Sequence, residues 1–168
     1  MRPREEGANP RTPDQLQHLV EESRRLGLIE AEDHAVLSQA LRAPHAGITP
    51  LITPPGRIVT VPADATAQQV IDASISAQRS RLIVGPVTDP VGVVHLRDAY
   101  LAHRRGSPTT AGQLAYGLPV LPPDVTVARA LTRLRAEHSQ IALIRAGDGA
   151  VKGIVTLDDL LTTLLVAA

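Results

Sequence analysis

Thr156 and Asp159 stand three residues apart, where an apolar strand over Val151 to Leu157 gives way to a helix opening at Asp158 or Asp159. A helix N-terminus presents unpaired N–H groups and the positive end of a dipole, which suits a phosphate. A threonine hydroxyl there adds a donor, and a carboxylate accepts from both hydroxyls of a ribose. The combination suits a nucleotide. The plainer alternative is that Asp158 or Asp159 only caps its helix and Thr156 is an ordinary strand residue.

Repetition bears on that choice. Gly153-Ile154-Val155-Thr156-Leu157-Asp158-Asp159 is echoed by Gly92-Val93-Val94-His95-Leu96-Arg97-Asp98, 61 residues earlier. Upstream, Val61-Pro62-Ala63-Asp64-Ala65-Thr66 matches Leu121-Pro122-Pro123-Asp124-Val125-Thr126 at a spacing of 60. One unit of about sixty residues therefore occurs twice, a tandem pair and not a solenoid.

Each unit reads strand, helix, strand, strand, helix. In the first, Ile58 to Val61 is a short strand, and Thr66 caps a helix with Gln69 at the capping-box position. Val70, Ile71, Ser74, Ile75 and Gln78 follow at helical spacing, and Leu82 to Val84 and Val91 to Leu96 are buried strands. Asp98 opens a last helix that ends near Gly106. The second unit has strands at Leu118 to Leu121, Ile141 to Ile144 and Val151 to Leu157, with a helix from Thr126. Two helices precede the pair. Thr12, Pro13 and Gln15 mark the start of one, with Leu16, Leu19 and Val20 as its apolar stripe and Gly27 as its stop. The other covers about Glu30 to Arg42, with Val36, Leu37, Ala40 and Leu41 on one face. Residues 1–11 are polar, carry Pro3, Gly7 and Pro10, and read as a flexible leader. The expected division is 1–42 leader and N-terminal helices, 43–108 first repeat and 109–168 second repeat, in an α/β (α+β) class.

Composition narrows the function. Lys+Arg and Asp+Glu are both 17, so the net charge is zero, and Tyr100 and Tyr116 are the only aromatics. Neither a basic footprint nor base-stacking platforms are available for nucleic acid. No cysteine is present, which removes disulfides and thiolate metal sites and fits a cytoplasmic location. The six histidines (His18, His34, His45, His95, His103, His138) show no metal-ligand spacing, so no protein-bound metal is expected. No apolar run approaches the roughly 18 residues of a membrane span, and a soluble chain is expected. Gly-x-Ser-x-Gly, phosphate-loop and zinc-protease motifs are all missing, and adjacent Asp158 and Asp159 point apart on a helix, so no enzyme is expected.

The repeats resemble a cystathionine-β-synthase (CBS) domain pair, or Bateman module, and more narrowly the cytosolic CBS region of the CorC/CNNM magnesium and cobalt transport family. Leu51-Ile52-Thr53-Pro54 resembles that family's Met-Thr-Pro entry, and Gln78-Arg79-Ser80-Arg81-Leu82 its Ser-Arg-aliphatic strand entry. The two repeat endings match closely, and Leu19 to Ser23 through Leu28 to Glu30 resembles the segment that leads into the pair. The likeness covers about Leu16 to Val166.

That resemblance implies two repeats about a pseudo-two-fold axis, with two clefts and an adenine nucleotide as ligand. In the cleft expected to be occupied, Asp159 would take the ribose and Thr156 the phosphates. Thr53 and Ile52 would border the adenine, and Arg81 would reach the phosphate chain. It also implies ATP with Mg2+ held through the phosphates, a homodimer, and coupling to a membrane transport domain of an inner-membrane protein. Several positions depart from the family's pattern. His95 stands where many such repeats carry Thr or Ser, which makes a cleft at His95 and Asp98 weaker or empty. Pro55 occupies a place where a basic residue is frequent, and Ala115-Tyr116-Gly117 replaces a more basic stretch. Two other readings stand beside this one: a stand-alone CBS pair that controls another partner, and a purely structural dimerisation module.

Overall fold

The computed structural model describes residues 12–166. Its helices are α1 (Pro13–Arg25), α2 (Ala31–Arg42), α3 (Ala67–Ala77), α4 (Leu96–Arg104), α5 (Ala111–Leu114), α6 (Val127–Ala136) and α7 (Leu157–Val166). Its strands are β1 (Thr60–Val61), β2 (Arg81–Val84), β3 (Gly92–His95), β4 (Val120–Leu121), β5 (Ile141–Arg145) and β6 (Val151–Thr156). The chain divides into two compact units. One runs up to Ala46 and resumes at Thr163, and the other is Gly47–Thr162.

The larger unit holds the sheets of both repeats. Each contributes a three-stranded sheet, ordered β1-β2-β3 and β4-β5-β6, in which the first pair is parallel and the second antiparallel. A parallel pair needs a crossover, and α3 and α6 supply it. Both crossover helices start as their sequences require. Thr66 and Gln69 form the reciprocal capping box, and Thr126 accepts from the Arg129 amide. Both end on a left-handed residue that is not glycine, Gln78 at φ 52° and His138 at φ 50°. The last helix of the first repeat begins at Leu96, two residues before Asp98, because the His95 side chain takes the cap position. Gly106 follows it at φ 64°, as a helix stop should. The sequence gives no notice of α5, a four-residue turn capped by Thr110 and Gln113, or of the 3-10 turns at Ala43–His45, Thr49–Leu51 and Pro55–Arg57.

Alternation along the strands sends each sheet's side chains two ways. Leu82, Val84 and Val94 pack with Val61, Val70 and Ala99 into an aliphatic core behind the first sheet. Ile83 and Val93, one step out of phase, meet Ile141, Ile154, Tyr116 and Ile58 in a second cluster between the sheets. Arg81 shares the phase of Ile83, and His95 that of Val93; they are cross-strand partners in register. Ile141 and Thr156 are the corresponding pair of the second sheet. The inward row of each sheet therefore ends in a pair that faces the seam.

Chain entry into each repeat crosses to the other sheet. Thr53 bridges Ile154 through amide and carbonyl bonds of 2.8 and 3.0 Å, and Tyr116 bridges Val93 at 2.9 and 3.0 Å. The repeated glycines permit this approach. A Cβ at Gly92 would lie 2.5 Å from the Tyr116 carbonyl oxygen, and one at Gly153 would strike the Thr53 carbonyl. Gly153 also has φ +145°, a region that side chains seldom adopt.

In the smaller unit α1 has its capping box at Thr12 and Gln15, and Gly27 closes it at φ 70°. Its expected apolar stripe is only half covered, with Leu16 and Leu19 each 36% exposed. The face expected of α2 also differs. Val36 and Leu37 are exposed, and Ser38 is the buried residue, 3.5 Å from the His34 ring.

Candidate nucleotide cleft

A cleft of about 390 Å³ opens on the larger unit, between the ends of the two sheets. Its apolar part comes from Ile58, Ile83, Ile141 and Ile154, the same inward-facing rows that make the seam. Thr53, Ser80 and Thr156 add hydroxyls, Gln78 and Gln140 amides, Asp158 and Asp159 carboxylates, and Arg57, Arg79 and Arg81 cations.

Each polar group has a local reason for its place. Thr156 ends β6 and caps α7, accepting from the Asp159 amide at 3.1 Å. A hydroxyl that accepts there keeps its own proton to donate into the cleft. Asp158 and Asp159 occupy the first turn of α7, where the dipole favours negative charge. The left-handed Gln78 turns the chain from α3 into β2 and delivers Arg79, Ser80 and Arg81 to the opposite wall. Arg81 opens β2 with its Nε buried and without a hydrogen-bond partner. None of Arg57, Arg79 and Arg81 forms an ion pair among the described residues. Unpartnered buried donors are costly, so this wall suits an anion.

The cleft thus unites Thr53, Arg81, Thr156 and Asp159 of the sequence-derived set. Ile52 is not among its lining residues; it is half-buried, with its Cγ2 packed over Gly153. His95 and Asp98 also lie outside that lining. His95 Nδ1 accepts from the Arg97 amide at 2.9 Å, and Asp98 approaches Arg97 at 3.7 Å. Burial, then the positive charges of Arg81 and Arg97, push the His95 imidazole below its ordinary pKa, against the pull of Asp98. Arg57 also lines the cleft, with no signal for it in the sequence: Pro55 stands where the resembled family often has a basic residue, and the 3-10 turn Pro55–Arg57 carries one two residues later.

The cleft combines an apolar slot with carboxylates, hydroxyls and arginines, a set of groups that can receive an apolar ring, hydroxyls and an anion.

Comparison with known proteins bears on the fold. Residues 115–166 match the CBS domain family. An uncharacterized protein of Mycobacterium tuberculosis is 30% identical over 162 residues, which is 90% of this chain and 46% of the relative. The chain spans less than half the length of the curated relatives it matches, 36% of a UPF0053 protein from the same species. Among solved structures, the CBS domain of the bacterial CNNM/CorC family Mg2+ transporter superposes with TM-score 0.77 at 18% identity, over 93% of this chain and 97% of that one. The CBS domain of that transporter in complex with ATP superposes with TM-score 0.71 at 19% identity, over 80% and 97% of the two chains.

Proposed function

We propose that the chain is a CBS-domain pair, a fold it shares with CNNM/CorC-family CBS domains, acting as a regulatory module that binds an adenine nucleotide, ATP with Mg2+ held through the phosphates. The observation that carries this reading is the convergence of Thr53, Arg81, Thr156 and Asp159 on one cleft with an apolar floor. Asp159 accepts from the ribose hydroxyls, Thr156 and the N-terminus of α7 face the phosphates, and Arg81 neutralises them. Thr53 borders the base with the isoleucines, and Ile52 acts behind it by fixing the entry strand over Gly153. The repeats at 43–108 and 109–168 each form half of the site, and residues 1–42 lead into them. The role is sensory, not catalytic.

In the whole protein the module belongs to a CorC/CNNM-type magnesium and cobalt transporter of the inner membrane, and it faces the cytoplasm as a homodimer. No helix among the described residues is long and apolar enough to cross a membrane. Nucleotide acts on transport only if it binds one dimer state better than the other. A stand-alone CBS pair regulating another partner has the same cleft. A ligand-free dimerisation module is favoured by the His95 corner, whose ring is spent on its own helix cap.

A thermal-shift titration with ATP, ADP, AMP and S-adenosylmethionine, with and without magnesium, tests the reading. A ligand at about 100 times its dissociation constant adds about 2.7 kcal/mol. For this size that raises Tm by roughly 5 to 10 °C. A magnesium-dependent rise with ATP is expected, and no rise with any of the four would leave the structural module.

A further inference from the structure

Resting on the homodimer reading above, we propose that the exposed face of α2 in one copy packs antiparallel on the exposed face of α4 in the other. Each face is apolar in the middle and charged at one end. On α2, Glu32 and Asp33 are exposed in the first turn, and Val36 and Leu37 follow one turn later at 49% and 44% exposure. On α4 the order is reversed. Tyr100 and Leu101 are 49% and 41% exposed, and Arg104 and Arg105 stand exposed one turn later, where the helix ends. None of Glu32, Asp33, Arg104 and Arg105 forms an ion pair among the described residues. Arg97, before the apolar pair of α4, already has Asp98 at 3.7 Å.

Antiparallel packing matches the two faces position by position. Charged and apolar pairs are four residues apart on both helices, about 6 Å along the axis. With the helices running in opposite directions, the carboxylates of α2 meet the guanidiniums of α4 while Val36 and Leu37 cover Tyr100 and Leu101. The same arrangement sets the positive dipole end of α2 beside the negative end of α4. Tyrosine and arginine are side chains that protein interfaces favour. The occupant is a second copy because one chain of zero net charge carries both complementary faces, and both are exposed. A closed two-fold dimer makes the contact twice, which offsets the small size of one helix pair.

Sedimentation velocity over a concentration series reads the dimer in the parent chain, in Glu32→Arg/Asp33→Arg, in Arg104→Glu/Arg105→Glu, and in the chain with all four changes. Each two-residue reversal sets like charges against each other and should raise the dimer Kd by about ten-fold or more. All four changes together exchange the charges across the contact and should bring Kd back to within about three-fold of the parent. Circular dichroism reports whether each variant folds. Should a reversal unfold its helix, Arg104→Gln/Arg105→Gln removes charge without repulsion and should still weaken the dimer about three-fold. Dimer affinity unchanged by either reversal, or not recovered with all four changes, overturns the proposal while the homodimer reading stands. A parent chain that stays monomeric throughout overturns the homodimer reading and this proposal with it.

Discussion

The two repeats build the same corner twice and furnish it differently. At the end of β6, Thr156 caps α7 through the Asp159 amide; at the end of β3, His95 caps α4 through the Arg97 amide. The loops that face these corners also correspond. Each leaves a crossover helix through a left-handed residue, but one reads Gln78-Arg79-Ser80-Arg81 and the other His138-Ser139-Gln140-Ile141. Two cations on the first loop become a buried serine, bonded to the Ile141 carbonyl at 2.8 Å, and an aliphatic side chain on the second. The cationic loop lies opposite the Thr156 and Asp159 corner, in one cleft. Backbone symmetry thus yields two equivalent places, and side-chain chemistry equips one of them for an anion.

The strongest way to break the correspondence is at its glycines. Gly153→Ala should cost about 3 kcal/mol or more, since it combines an unfavourable φ with a collision against the Thr53 carbonyl. Gly92→Ala should cost about 2 kcal/mol, from crowding against Tyr116 and Ala115 without an unfavourable φ. Urea denaturation of the two variants measures both, and the difference reports how much tighter the Thr53 crossing is. Next comes the hydroxyl. Thr156→Val removes the hydroxyl proposed to face phosphate and should weaken ATP by about ten-fold or more in calorimetry, whereas His95→Ala should leave it within about two-fold. The caps differ by less. Thr66→Ala breaks a two-way box and should cost about 1 kcal/mol; Thr126→Ala breaks a single bond and should cost somewhat less. The smallest effect is pH. His95 has a lowered pKa in the fold, so the unfolded chain binds the extra proton more readily, and stability falls as pH drops through about 6.5 toward the folded value. Protonation of Nδ1 would also remove the acceptor for Arg97. His95→Gln should flatten that part of a Tm-against-pH curve.

What the sequence disclosed followed the range of the interactions. Thr66, Gln69, Thr126, Gly27 and Gly106 act within a turn of themselves, and their helix ends fall where local chemistry puts them. The glycine echo marked the repeat, but its cause, a chain crossing from the other half, is a long-range contact that spacing alone does not contain. Thr156, Asp159 and Arg81 stand out in the sequence because each sits at an element boundary, and the fold brings the three to one cleft. Arg57 was hidden because its turn depends on Pro54 and Pro55 redirecting the chain. The faces of α1 and α2 were misjudged since apolar periodicity says that a face exists, and not how fully it is covered. The cap at His95 displaced the expected helix start at Asp98, because an imidazole in that place accepts an amide as a threonine hydroxyl does.

The most direct test of the account compares Asp159→Ala with Asp98→Ala, its counterpart in the first repeat, by calorimetric titration with ATP and magnesium. Asp159→Ala should lose ATP binding with its circular dichroism and Tm essentially unchanged, and Asp98→Ala should bind as the parent chain does. ATP affinity retained in Asp159→Ala, or lost in Asp98→Ala instead, would contradict the assignment of the nucleotide to the cleft that joins β2 of the first repeat to α7 of the second.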